Sequence, residues 1–461
     1  MNKYLFFNKN FIKLFLLLSF CLCWVSISSS FIDIYKVFLI LNHNLNYCVI
    51  SCKKINIPLN DLINCFRQLI MFVIFPILIY LNISKFRGVN LKNDIPIFCL
   101  ILYFIFQIPG IIFTDNSYFN IGFIISAINV LLILYLSRHT FHEKFLINFI
   151  YLNIFFLVLI SLLNNEPYVR FFTSAQGGSH LYTFLDNSSN YFFGQYSPRS
   201  TGSSRSLLLI YIMSTLIFYK FFNTNKKIKI TFYIIISVFI LLFQSRTVIV
   251  MLLVFIFFNF VIENNKNIFK YFFIYLMLPI ITLYSLLYIK NLDVISNLLE
   301  KEIIILNDPK KNLGPDSDSL HKTYLRPIDP NSYSSGRVED WKSIFLKTLK
   351  SKYFGFGAQG DRYLINQTAS NGLLYAFSSS GIIGSIFYVV FIFSCLFKIF
   401  KVFLIESNRH DYKNKLSSLI ILIVLLRSIL ESSFSVFGID LIILSTFYFF
   451  LNSHLKDKYA N

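Results

Sequence analysis

The sequence predicts an all-α polytopic integral membrane protein with about 12 transmembrane helices and two long extracytoplasmic loops. Three observations predict it: an apolar composition, a series of segments of spanning length, and a lopsided distribution of lysine. Of 461 residues, 56% are hydrophobic and only 14% charged, with a mean hydropathy of +0.62. A soluble domain carries about 45–50% apolar and about 25% charged residues, so this chain suits a bilayer. A formal net charge of +19 would point to nucleic acid only as a basic patch on a soluble fold. In a membrane chain, excess Lys and Arg in cytoplasmic loops is the ordinary source, and no nucleic-acid partner is expected.

A spanning helix needs about 20 mainly apolar residues. Twelve segments meet that rule: 11–28, 62–82, 95–114, 118–137, 145–163, 205–222, 228–245, 247–262, 271–290, 372–397, 416–432 and 436–452. The first follows a basic start and precedes small residues, the layout of a signal peptide. With so many spans behind it, an uncleaved first helix is the preferred reading. Asp33, Lys36 and the run "LNHNLN" interrupt 31–50, which is read as an outer, interfacial segment.

Charge supplies the orientation. With the N-terminus inside, the inner connections are "ISKFRGVNLKND", "SRHTFHEK", "NTNKKIK", "ENNKNIFK" and "KVFLIESNRHDYKNK", and all are basic. The short outer turns "DNSY" and "SFS" contain no Lys or Arg. Positive residues inside fix this topology, with both termini cytoplasmic. The chain then reads as a single membrane domain, 1–461, with outer loops at 164–204 and 291–371. The second loop is the larger and is rich in Asp, Asn, Ser and Pro.

Seven cysteines fall mostly in apolar runs, as at Cys65, Cys99 and Cys395, which suits small buried thiols. Only Cys48 and Cys52 could meet in an outer loop. No CxxC pair or His cluster suggests a metal, and no cofactor is expected.

Arginine follows a different rule from lysine. Of twelve arginines, only Arg87, Arg138 and Arg409 lie in inner loops. The guanidinium is a planar fork suited to bidentate pairing with phosphate or carboxylate. Its enrichment on the side where topology does not require it points to an anionic ligand there. Arg199 and Arg205 sit in "SPRSTGSSRS", Arg246 in "FQSRTVIV", Arg337 in "SSGRVEDW" and Arg427 in "LLRSILESSF". Together they could converge on one outward-facing pocket. An ionisable residue inside a span is a functional candidate by default. Arg427 also has a structural reading, a helical i,i+4 pair with Glu431. For Arg246 and Arg67 the alternative is snorkelling. "GRVEDW" by itself reads equally well as a solvated helix start.

The ordered series "PRSTG", "SRT", "SGRVEDW", "YFGFGAQG", "ASNGLLYAFSSSGIIG" and "LLRSILESSF" resembles the O-antigen polymerase and O-antigen ligase superfamily. The resemblance covers roughly 195–450. It implies a membrane glycosyltransferase of the bacterial inner membrane with an extracytoplasmic active site and no metal requirement. Its partners would be an undecaprenyl-diphosphate-linked glycan donor, an acceptor glycan and the lipid bilayer. Chain-length control would call for a regulator that no residue here identifies. On this likeness Arg337, Glu339 and Asp340 are the catalytic candidates, and Arg199, Arg205, Arg246 and Arg427 the diphosphate-binding ones. Glu431, Trp341 and Asn371 would support them.

Ligases of this superfamily commonly carry His-Asn before the tenth span, whereas Ser370 and Asn371 stand here. His180 and His321 match no motif. The missing histidine favours a polymerase, with a ligase as the alternative. A transporter or lipid-glycan flippase is a third reading, but the inner loops are all short, unlike the long inner connection between two transporter halves. "GFGAQG" lacks the strand and Lys-Ser/Thr of a phosphate loop, so its glycines read as turn residues. "SSSGIIGS" supplies small residues for close helix packing.

Overall fold

The computed structural model describes residues 73, 75–81, 95–114, 116, 120–137, 150–151, 153–155, 158, 201–221, 226–242, 245–262, 268–290, 337–366, 368–405 and 412–460. Those residues form helices and no strand. In chain order they are α1 (Phe75–Leu81), α2 (Ile95–Ile105), α3 (Gln107–Ile112), α4 (Ile121–Ser137), α5 (Thr201–Phe221), α6 (Lys226–Leu242) and α7 (Arg246–Ile262). Then come α8 (Ile268–Lys290), α9 (Arg337–Thr348), α10 (Gly360–Ile365), α11 (Gly372–Ile405), α12 (Tyr412–Leu430) and α13 (Ile439–Ala460).

Every expected span from 95–114 and 118–137, and from 205–222 onward, has a helix on it. Segment 11–28 lies outside the described residues, as do 31–50, Cys48, Cys52 and Cys65. Two helical stretches, Ile95–Ile112 and Gly372–Phe403, are long and apolar enough to cross a bilayer. This is the architecture of a helical membrane protein.

The helices pack in two groups that α12 joins. α5, α6, α7 and α8 contact one another, while α2, α4, α11 and α13 form the other group. α12 touches α5 and α7 on one side and α11 and α13 on the other. Its buried residues Leu416, Leu419, Ile420, Ile423 and Val424 recur at helical spacing and place it in the core. The outer face of α11 is different: Ile382, Ile386, Val390, Phe393, Phe397 and Phe400 are exposed at steps of three and four. A continuous apolar stripe of this kind marks a lipid-facing surface.

Two of the expected spans are interrupted. The first, 95–114, changes helix at Phe106. The second, 372–397, runs on to Ile405 and breaks at Gly381, whose φ of 62° and ψ of −163° are non-helical. That break frees backbone groups, which would be costly in lipid unless protein satisfied them. The loop "KYFGFG" does so. Phe356 and Gly357 N–H groups donate to the Ser378 and Ser379 carbonyls at 2.8 Å, and Ile382 N–H donates to Lys352 O at 2.8 Å. The glycines expected only to turn the chain also permit this close approach. A Cβ on Gly355 would lie 2.6 Å from Gly381 N, and one on Gly357 would lie 2.9 Å from Ile111 N. From the other side Asn116, in the "DNSY" turn, donates to the Phe356 and Ala358 carbonyls at 2.6 and 3.1 Å. The segment 352–357 is thereby built into the helical body. In "SSSGIIGS", Gly384 faces Phe106 across the α11 contact, the close packing expected of small residues.

Candidate active site

The C-terminal end of α12 is where the arginines gather. The last four carbonyls of a helix lack helical partners, and here residues from other segments supply two of them. Arg337 Nη1, at the start of α9, donates to Leu430 O at 3.3 Å. Asn371 Nδ2 donates to Ile429 O at 3.0 Å. The Asn371 Oδ1 also accepts the Leu374 N–H at 2.9 Å, capping the N-terminus of α11. "RVED" is therefore the first turn of a helix, and its arginine is docked on the end of α12.

Arg427 is the buried centre of the cluster, with 3% exposure. Its Nε donates to Glu431 Oε2 at 3.0 Å, and its Nη2 pairs with the same oxygen. The i,i+4 pair expected from the sequence is thus present. A second carboxylate completes it: Arg427 Nη1 lies 2.8 Å from Asp440 Oδ1, and Ser433 Oγ donates to Asp440 Oδ2 at 2.9 Å. Three of the five guanidinium N–H bonds are thus used, leaving one on Nη1 and one on Nη2. Asp440 and Ser433 were missed in the sequence. The available sign was an acid inside the apolar run "GIDLIIL", which ordinarily marks function.

Arg205, on α5, is close enough to interact electrostatically with Arg427, Asp440 and Glu431. Its Nε is buried and has no hydrogen-bond partner among the described residues. A buried donor left unsatisfied costs about 1–3 kcal/mol, and more when charged. Arg199 lies outside the described residues. Arg246 is the first residue of α7, and its side chain is also outside them. The structure thus brings together Arg205, Arg337, Arg427, Glu431 and Asn371. It leaves Glu339 exposed and Asp340 half-buried in the first turn of α9.

Trp341 has a positioning task. Its Nε1 donates to Ala369 O at 2.6 Å, while the Ala369 N–H donates to Asp361 Oδ2 at 2.7 Å. Both backbone polar groups of Ala369 are thereby held, two residues ahead of Asn371. The Asp361 Oδ1 accepts the Arg362 N–H at 2.8 Å. Replacing Asp361 by asparagine would turn an N–H2 toward one of these donors, with an expected loss of about 1–3 kcal/mol in unfolding measurements.

Burial pushes the Asp361 carboxyl above its ordinary 3.8, and hydrogen bonds from the Ala369 and Arg362 N–H groups pull it partway back. With the folded value raised, this group's stabilising contribution is full below 3.8 and is lost as pH rises through the folded value. Asp361→Asn is expected to remove that slope from the stability–pH curve.

Residues 230–389 match the family model for O-antigen ligase. The match supports the O-antigen polymerase and ligase superfamily, whose members are membrane proteins, and gives no support to a transporter. The matched region contains Arg246, α9 and the break in α11. Arg205, Arg427, Glu431 and Asp440 lie outside it, yet the fold packs them against it. No curated protein matches the chain.

Proposed function

We propose that this protein is a membrane glycosyltransferase that polymerises undecaprenyl-diphosphate-linked oligosaccharide repeat units into a surface polysaccharide. The reaction would take place on the outer side of the bacterial inner membrane. One observation carries the proposal: Arg205 keeps a buried, unpartnered Nε beside the buried guanidinium of Arg427. Glu431 and Asp440 already pair Arg427, so the unused buried donor of Arg205 is the position that an anionic ligand would fill. A lipid diphosphate is such an anion, and it is the leaving group of this chemistry.

In the reaction an acceptor sugar hydroxyl attacks the anomeric carbon of the donor glycan. The new C–O bond forms as the bond from that carbon to the diphosphate oxygen breaks, and the electron pair leaves with the phosphate. The hydroxyl proton passes to a carboxylate, for which Glu339 and Asp340 are the candidates. Negative charge grows on the diphosphate in the transition state, so fixed cations there lower the barrier. Arg205, Arg337 and Arg427 take that role, with Arg199 and Arg246 as further members. Glu431 and Asp440 aim Arg427, and Trp341 and Asn371 hold the loop that carries Arg337.

A ligase is the second reading, favoured by the description of the matched family. It would move finished glycan to another acceptor. Ser370, where ligases carry histidine, favours the polymerase.

Purified protein in lipid, given only the native lipid-linked repeat unit, tests the reading. A ladder of lengthening products means polymerase. Single-step transfer that appears only with a second acceptor means ligase. No product in either case overturns glycosyl transfer. In this assay Arg337→Ala is expected to slow transfer by about 10²–10³. Arg337→Lys, which keeps the charge but loses the fork, is expected to be nearly as slow. Wild-type rates in the lysine variant would rule out bidentate binding by Arg337.

A further inference from the structure

Helix α9 has three faces rather than two. At 3.6 residues per turn, Arg337, Trp341, Ile344 and Thr348 fall on one side, the side with buried Ile344 and Thr348. Glu339, Asp340, Ser343 and Lys347 form a second, polar side. Val338, Phe345 and Leu346 form a third, with exposed Lys342 among them, and Leu349 continues it in the following 3₁₀ turn. All four of these apolar residues are exposed, at 46–55%. A loop helix surrounded by water has no reason to present such a face.

Its neighbours say what covers it. The Phe345 ring meets the Phe377 ring of α11 at 5.6 Å. Phe377 lies one turn from exposed Leu373, on the part of α11 that precedes the break at Gly381. Beyond that break the lipid-facing stripe of α11 continues from Ile382 to Phe400. Residues 382–400, up to the inner connection that begins at Lys401, span about 28 Å, close to the roughly 30 Å hydrocarbon core. Phe377, more than a turn before Ile382, therefore lies at the outer boundary of that core. Tyr353 is exposed there, with Lys352 Nζ 5.1 Å from its ring centre. Tyrosine and lysine are the usual residues of that boundary.

We propose that α9 is an interfacial helix, with Val338, Phe345, Leu346, Leu349 and Tyr353 seated among lipid headgroups and upper acyl chains. Lys342, Lys350 and Lys352 reach the phosphate layer, and the polar side with Glu339 and Asp340 faces water. The occupant of the apolar face is the bilayer itself.

Three single-tryptophan additions to the full chain in nanodiscs test this. Leu346→Trp probes the apolar face and Ser343→Trp the polar one, each read against the unaltered protein. Lipids brominated near the headgroup end of the acyl chain are expected to quench Leu346→Trp about twofold or more beyond Ser343→Trp. Aqueous iodide is expected to show the reverse order, and Leu349→Trp to behave like Leu346→Trp. Equal iodide quenching with no bromolipid effect would overturn the proposal. So would protection from both quenchers, which would mean that protein, a second copy included, covers the face. Neither readout depends on the chemistry of the site.

Discussion

Replacing Arg427 by methionine is expected to destabilise the protein by about 3–5 kcal/mol and to abolish transfer activity. The reason lies in what stays behind. Asp440 is 2% exposed and Glu431 is one helical turn away, so both carboxylates would lose the cation that offsets their burial. Breaking a buried ion pair costs far more than never having made it. The triple variant Arg427→Met, Glu431→Met, Asp440→Leu separates two roles. With both carboxylates gone and only Arg205 still charged in the cluster, part of the lost stability should return in unfolding measurements. Activity should stay absent, because the diphosphate would lack its cation. If the triple variant regained transfer, Arg427 would be structural only.

Gly381→Ala is the second large effect. A backbone at φ 62°, ψ −163° belongs to a region that is essentially glycine's alone, and forcing another residue into it costs about 1–3 kcal/mol. The added Cβ would also stand 2.3 Å from the Tyr353 carbonyl carbon and oxygen. Backbone cannot yield as a side-chain tip can, so the loop from Lys352 to Gly357 should leave its seat on α11. Limited proteolysis should then cut this loop, and activity should fall with it. Gly438→Ala is the control. Its Cβ would meet nothing within 4 Å, and any change in stability should stay within about 0.5 kcal/mol. Protection of the loop in Gly381→Ala would contradict the assignment of the break as its docking point.

The helices were legible because hydrophobic length and lysine placement are both local properties of the sequence. So was the Arg427–Glu431 pair, which needs only the four-residue helical step. Asp440 was not. Its approach to Arg427 depends on the 3₁₀ turn Ser433–Ser435, which brings α13 back beside α12, and no spacing rule encodes that return. The convergence of Arg205 depends in the same way on which side of α5 meets α12. "SSSGIIGS" shows another limit: small residues suit close helix packing and a helix break equally well. What decides between them at Gly381 is a backbone some 25 residues earlier in the chain. The exposure of Glu339, by contrast, was available from helix phase alone, since it lies opposite Ile344 and Trp341.

The break in α11 also bears on how the protein is made. Lys352, Phe356 and Gly357, which close the break, precede α11 in the chain. In the topology expected from the sequence, they cross the bilayer before that helix arrives. Until they seat themselves, α11 is a span with open peptide groups, poorly suited to leave the insertion machinery for lipid. Translocation of the loop and release of the helix thus become a single ordered event. A loop that failed to seat would leave the break in α11 open while α12 and α13 are still to come.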